Sequence, residues 1–355
     1  MLDFVYNAHP ARVLFGSGTL TSLYEELETL RLRRVLVLST PEQTEQAQTL
    51  AKKLRGRAAG IFSGARMHTP VDVTEQALAE VKRLEVDGLV AVGGGSTTGL
   101  AKALALRTDL PQIVAPTTYA GSEMTPILGE TENGCKKTLT SATVLPEVVI
   151  YDVDLTLKLP VYLSVVSGLN AIAHAAEALY ARNGNPIINL LAQDGMRAMA
   201  GALPRICDNP SDAKARSDAL YGAWLCGVCL GNVGMALHHK LCHALGGRYD
   251  LPHAETHAVM LPHALSYNAL AVPQAMDMMK EALGLADVPR GLFELSARIG
   301  APQSLRELGM PESGIDIIAA DALANPYWNP RPLERAALKA IIARAWAGSE
   351  PVSLT

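Results

Sequence analysis

Gly88-Leu-Val-Ala-Val-Gly-Gly-Gly-Ser-Thr-Thr-Gly-Leu-Ala-Lys-Ala-Leu-Ala-Leu106 decides the fold of this chain. Residues 88–92 read as a buried strand, the glycine and hydroxyl run 93–99 as a turn, and Leu100 onward as a helix. Working outward, residues 35–39 form another apolar run, and Pro41-Glu42 opens a helix towards Arg55. Residues 59–63 read as a second strand. The segment 71–86 is a helix with Val71, Val73, Ala77, Leu78, Val81 and Leu84 on or near one face. Residues 112–116 and 148–152 supply further strands. Strands separated by helices of this length predict a parallel, Rossmann-like sheet covered on both faces.

The pattern changes between Met124 and Ser141, where Asn133-Gly134 sits between two short runs and predicts a tight hairpin. After Pro160 the strand signals largely stop, and Ala-, Leu- and Gly-rich helical segments fill the rest. The expected organisation is an α/β dinucleotide-binding domain over residues 1–160 and an all-α C-terminal domain over 161–355.

A glycine turn between strand and helix lets the backbone approach a ligand closely, and the helix N-terminus favours an anion. Gly93, Gly94, Gly95, Ser96 and Thr97 are therefore candidate pyrophosphate binders, although their spacing matches neither the common dinucleotide fingerprint nor the phosphate-binding loop with its Lys. Pro116-Thr-Thr-Tyr-Ala-Gly-Ser-Glu123 also follows a strand, and adds Thr117, Thr118 and Ser122 as candidate cofactor contacts. Two such loops at neighbouring strand ends suit the crevice where open parallel sheets bind cofactors. The end of the first predicted strand, near Ser39-Thr40, carries neither the Asp that repels a 2′-phosphate nor an Arg that holds one, so NADH and NADPH both fit.

Composition narrows the function classes. Hydrophobic residues make up 49% and charged residues 19% of the 355, an ordinary globular balance. A net charge of −4 without a dense Lys/Arg block argues against nucleic acid as partner. Five cysteines without framework spacing fit a reducing compartment, and Cys226-x-x-Cys229 reads as helix core. The N-terminus shows no secretory pattern. Residues 219–237 carry no charge, but they hold four glycines and run into histidines, which predicts a buried central helix and no membrane span. A cytoplasmic protein is expected.

His239-x-x-x-His243 and Asn170-x-x-x-His174 place side chains one helical turn apart on single faces, and Pro252-His253 follows. Gly-Gly-Gly-Ser at 93–96, the 116–123 run and these histidine words, in this order and over essentially the whole chain, resemble the iron-containing alcohol dehydrogenase family. The resemblance implies that family's dehydroquinate synthase-like fold. It also places the family's metal-ligand positions, an Asp and three His, on Asn170, His174, His239 and His253, with His243 as an additional active-site histidine. Asn170 departs from that pattern. A neutral amide in place of the only anionic ligand removes several kcal/mol of attraction for a divalent cation.

The departure resembles a metal-independent branch of the family, which implies NADH- or NADPH-dependent reduction of the activated C=C bond of a small dicarboxylate, a homodimer and no metal. Imidazoles titrate near neutrality and can donate hydrogen bonds or a proton to a developing enolate, as well as attract carboxylates. His243 is the expected proton donor. His174, His239 and His253 are expected to bind substrate oxygens, and Asn170 to orient the substrate. His238, His257 and His263 read as packed or solvent-facing residues. Arg66, Lys136 and Tyr119 are further candidate substrate contacts. The alternatives are a metal-dependent alcohol or polyol dehydrogenase that tolerates Asn170, and a nucleotide-binding module without catalysis. A phosphate-handling lyase resembling 3-dehydroquinate synthase would need more Lys and Arg near the histidines.

Overall fold

The computed structural model describes residues 4–9, 11–132 and 135–352. Contacts divide it into Ala8–Leu159 and a second unit, Pro160–Thr355, which includes the described residues 4–7.

The α/β unit carries the strands β1 (Arg12–Gly16), β2 (Val35–Leu38), β3 (Ala58–Phe62), β4 (Gly88–Gly93), β5 (Gln112–Pro116), β6 (Ile127–Glu132), β7 (Cys135–Thr140) and β8 (Val148–Asp152). Its helices are α1 (Leu23–Thr29), α2 (Thr44–Lys53), α3 (Val71–Arg83) and α4 (Gly95–Thr108). Six strands form one sheet in the order β1-β8-β5-β4-β2-β3, with every pair parallel. Alternate residues feed opposite cores. Leu36, Leu38, Leu89, Ala91 and Val114 pack with Val73, Ala77, Leu100 and Leu104. Val35, Val37, Val90, Val92, Ile113 and Ala115 pack on the other face with Leu23, Leu27, Ala47 and Leu50. A sheet buried on both faces explains why these strands read as unbroken apolar runs.

Strand order also positions the glycine run. The chain leaves β2 for β3 on one side, then returns to lay β4 on the other side of β2. That reversal is the kind of switch point beside which open sheets bind ligands, and the 93–96 turn lies at its carboxyl edge. β6 and β7 pair antiparallel from Ile127↔Thr140 to Glu132↔Cys135, and the Asn133-Gly134 turn itself lies outside the described residues.

The second unit is helical: α5 (Val161–Ala178), α6 (Pro186–Asp208), α7 (Ala213–Asn232), α8 (Leu237–Tyr249), α9 (His253–Asn268), α10 (Pro273–Leu283), α11 (Val288–Arg298), α12 (Gly314–Ala324) and α13 (Arg335–Ala347). α5 is buried all round from Ser164 to Ala178, and so is α9 from Thr256 to Asn268. The single helix expected over 219–237 is instead two. α7 ends at Asn232, Val233 turns to extended backbone, and α8 sets off at 93° to α7. Among the described residues no single helix is long and apolar enough to cross a membrane. α8 and α9 are fixed by a core of Leu241, Leu245, Val259, Met260, Ile318, Leu338 and Ile342. Each such buried side chain contributes about 1.5–3 kcal/mol. The histidine-bearing faces therefore sit on rigid supports.

Candidate functional site

At the carboxyl edge of β4 the helix begins earlier than the propensity of its residues predicts. α4 starts at Gly95 rather than Leu100, because the first turn is dictated by packing. A Cβ on Gly94 would lie 2.8 Å from Thr118 Cγ2, and one on Gly93 would collide with Thr97 Oγ1. The two neighbouring loops thus interlock through positions that only glycine can fill. Gly94 is the N-cap and no side chain caps the helix, while Gly95 is exposed. The Thr97 and Thr98 amides already donate to the Gly94 carbonyl, so the Gly95 and Ser96 amides are the ones offered to an anion, which the helix dipole favours.

The other cofactor candidates divide. Thr118 and Ser122 are partly exposed beside this turn. Thr117 is buried, with its hydroxyl accepting from Gln43 Nε2 at 3.1 Å. Thr97 Oγ1 is buried and has no hydrogen-bond partner. Ser39 departs from expectation: it is fully buried and its hydroxyl bonds Ser63 Oγ at 2.9 Å, so it faces the β2–β3 seam. The loop after β5 is pinned by a residue that no motif singles out. Lys102, buried on α4, donates to the carbonyls of Ser122, Thr125 and Ile127 and to Thr125 Oγ1, at 2.5 to 2.9 Å. Burial pulls its amine down to about 7, and the buried Glu123 carboxyl works in the opposite direction. Enclosed by oxygen acceptors alone, the group is held as the ammonium.

The helical unit gathers the histidines. α5 carries Asn170 and His174, α8 carries His238, His239 and His243, and α9 carries His253 and His257. His174 and His239 are 3% exposed. His174 Nδ1 lies 2.9 Å from His239 Nε2, and His239 Nδ1 lies 2.8 Å from Glu177 Oε2. Glu177 is wholly buried one turn beyond His174, and it also accepts from the backbone N–H groups of Ala236 and His238, at 2.8 and 2.7 Å. The carboxylate therefore caps the N-terminus of α8, where the helix dipole favours a negative charge. Burial raises the Glu177 carboxyl, and these donors work against that rise. His243 and His253 are only half-buried, with rings stacked 6.4 Å apart, and His243 Nδ1 meets the Tyr327 hydroxyl at 2.9 Å. Asn170 is buried and its Oδ1 has no hydrogen-bond partner, an acceptor left for something that is not part of the chain.

His257, read from the sequence as a packed or solvent-facing residue, belongs to this cluster. Its ring is 4.4 Å from that of His253 and 4.9 Å from that of His239, and its Nδ1 pairs with His238 Nε2 at 2.9 Å. The His253-x-x-x-His257 step was the available signal. Glu177 and Tyr327 were missed altogether. Burial pushes His238 and His239 down to about 3 and holds His257 well below its ordinary range, so these imidazoles are neutral. The expected cationic attraction for carboxylates therefore does not come from His239. Arg66 is exposed and Tyr119 wholly buried, both in the α/β unit, and the Lys136 side chain lies outside the described residues.

One trio could hold an ion by proximity: ligand atoms of His238, Cys242 and His257 lie within 4.8 Å of one another. His238 and His257 already spend those nitrogens on each other, and their remaining nitrogens have no partner to orient a bound ligand. The family-type set fits iron no better. It offers an amide oxygen with no carboxylate, and His174 Nδ1 and His239 Nε2 are engaged with each other at 2.9 Å. The Cys226 and Cys229 thiols, buried in α7, are raised by burial, Cys229 to about 12, which leaves them protonated.

Comparison with known proteins gives a consistent result. Residues 10–153 match the iron-containing alcohol dehydrogenase family, and residues 164–346 the C-terminal part of the Fe-containing alcohol dehydrogenase family. A maleylacetate reductase of Rhizobium sp. (strain MTP-10005) is 56% identical, over 99% of this chain and all of the relative. The crystal structure of maleylacetate reductase from Agrobacterium tumefaciens superposes with a TM-score of 0.95 at 55% identity, covering 99% of this chain and all of that one. An iron-containing alcohol dehydrogenase from Corynebacterium glutamicum also reaches 0.95, at 41% identity, with both chains fully covered.

Proposed function

The chain belongs to the iron-containing alcohol dehydrogenase family, and within it we propose that it is a maleylacetate reductase, which reduces the C=C bond of maleylacetate with NADH or NADPH to give 3-oxoadipate. The relatives that carry this name match it end to end. The α/β unit is assigned the cofactor, its phosphates meeting the Gly95 and Ser96 amides with Thr118 and Ser122 beside them. The helical unit is assigned the substrate.

In this reaction hydride adds to the alkene carbon β to the ketone, the π electrons move onto the ketone oxygen, and the enolate is then protonated on its α carbon. Each turnover consumes one hydride and one proton. An alkene already conjugated to a carbonyl needs only hydrogen-bond donors at the developing oxygen, so a metal is not required to polarise it. His243 and His253, the accessible members of the cluster, are assigned that contact, with His243 delivering the proton to carbon. Delivery of that proton starts from the imidazolium, whose Nδ1–H donates to the Tyr327 hydroxyl and whose Nε2–H goes to carbon, leaving the neutral ring. Asn170 lines the buried end.

The observation that carries this reading is Asn170: a buried neutral amide at the position where the family's metal site has a carboxylate. The proposal includes metal independence and a cytoplasmic homodimer serving bacterial breakdown of aromatic compounds. The test is NADH oxidation with maleylacetate against simple aldehydes, each with and without a chelator. Chelator-resistant turnover of maleylacetate alone is expected. Aldehyde turnover that is lost on chelation and restored by iron or zinc rejects the proposal.

A further inference from the structure

We infer that Lys240 supplies the charge that recognises a carboxylate of the substrate, its ammonium held beside the His243–Tyr327 pair at the accessible end of the histidine cluster. The role presupposes a dicarboxylate substrate, as proposed for this chain.

A dicarboxylate leaves water for a site only where N–H donors or fixed positive charges receive its oxygens. Besides histidine, α8 and α9 carry two basic side chains, Lys240 and Arg248. Arg248 is spent on α12: its Nη2 lies 3.0 and 2.9 Å from the two carboxylate oxygens of Asp321, and its Nε 3.2 Å from one of them. Lys240 is placed differently. It is half-buried and precedes His243 by three residues, so the two side chains are neighbours on one helix face. Its Nζ lies over the Tyr327 ring, 5.6 Å from the centroid, and the Tyr327 hydroxyl is 2.9 Å from His243 Nδ1. One tyrosine thus touches both the ammonium and the histidine assigned to proton delivery.

The ammonium has no counterion within the fold. Among the described residues no carboxylate lies within ion-pair distance of Nζ. Asp321, the acid that acts on Lys240 from α12, has both oxygens engaged by Arg248. Glu177 is taken up by the Ala236 and His238 amides and by His239. The position also runs against helix stability. Lys240 closes the first turn of α8, where the helix dipole disfavours a positive charge, and that turn holds no acid. A half-buried cation without a counterion, at the unfavourable end of its helix, breaks a local rule in the way functional residues do. The Tyr327 ring face holds the ammonium without neutralising it. Lysine offers a compact charge with three N–H donors on a flexible stem, which suits a carboxylate that arrives and leaves in each turnover.

The test uses adipate, a six-carbon dicarboxylate with neither alkene nor ketone, titrated calorimetrically into the NADH-loaded enzyme. Lys240→Gln should weaken adipate binding by about ten- to a hundredfold, the loss of one charge-assisted hydrogen bond, while Lys240→Arg, which keeps the charge, should recover most of it. With maleylacetate, Lys240→Gln should raise KM by a similar factor and lower kcat far less, the signature of lost ground-state binding. In the unsubstituted enzyme, bound adipate should shield Lys240 from acetic anhydride, read by peptide mass spectrometry; this measurement decides alone if Lys240→Gln does not fold. A folded Lys240→Gln enzyme that binds adipate within threefold of the parent overturns the inference, as does adipate that fails to bind the parent or to shield Lys240. Adipate binding that depends on Lys240, in an enzyme that does not reduce maleylacetate, upholds the carboxylate site and rejects the maleylacetate reading.

Discussion

Replacing His263 by Leu should make the protein more resistant to acid. His263 lies on α9, 1% exposed, edge-on to Phe293, and neither of its ring nitrogens has a partner. Burial pushes it from its ordinary 6.5 down to about 4. In the unfolded chain the imidazole takes up a proton below pH 6.5, whereas the folded protein resists doing so until about pH 4. Proton uptake therefore favours unfolding, and stability that is complete above 6.5 is lost as pH falls through this window. Between pH 8 and pH 5 the loss is about 2 kcal/mol, obtained as 1.36 kcal/mol for each of the 1.5 units below the ordinary value. Leu abolishes that titration. At pH 8 the variant should lie within about 1 kcal/mol of the parent, since two unsatisfied nitrogens are removed and one ring–ring contact is lost. Urea unfolding at both pH values measures the difference of differences. A gain at pH 5 of about 2 kcal/mol over that at pH 8 is expected; an increment below about 0.5 kcal/mol refutes the reasoning. His238 and His239, held near 3, push in the same direction.

Four further outcomes are expected. His243→Ala should lower kcat by about 10²- to 10⁴-fold, the range for a lost general acid, with NADH affinity unchanged by fluorescence titration, whereas Tyr327→Phe, losing one neutral hydrogen bond, should cost about two- to tenfold. Gly94→Ala should drive Thr118 away from the turn and weaken NADH binding, measured calorimetrically, while the half-exposed histidines remain as accessible to diethyl pyrocarbonate as before. Asn170→Asp buries a carboxylate among neutral imidazoles; its melting temperature should fall in chelator and recover with added zinc, worth about 2.7 kcal/mol at a hundredfold excess over Kd, whereas the parent should show no such recovery.

The legible parts of this fold are those whose information is local. Unbroken apolar runs such as Val35–Leu38 and Gly88–Gly93 announced strands because both of their faces are covered. β1 escaped notice because Arg12–Gly16 is a half-exposed edge strand whose partner, β8, lies far along the chain. The start of α4 was misplaced because glycine is a poor helix former; a tertiary fit with Thr118 overrides that preference. In the site, paired histidines at four-residue spacing were visible, and Asn170 stood out against the family pattern. Glu177 was not, since a Glu among alanines on a helix ordinarily faces water, and only the placement of α8 turns it into a buried cap. Tyr327 lies in a proline-rich loop with no periodicity to reveal it. Uncharged residues 219–237 could not disclose the corner after Asn232, because hydropathy carries no direction.

The oxygen cage around Lys102 has a practical use. Its nitrogen can meet an acylating or methylating reagent only if α4 separates from the loop after β5, an event that dismantles the core of the α/β unit. Surface lysines such as Lys137 should react within moments. The rate at which Lys102 acquires label, read by peptide mass spectrometry, would then clock global opening of that half of the protein from a single native side chain.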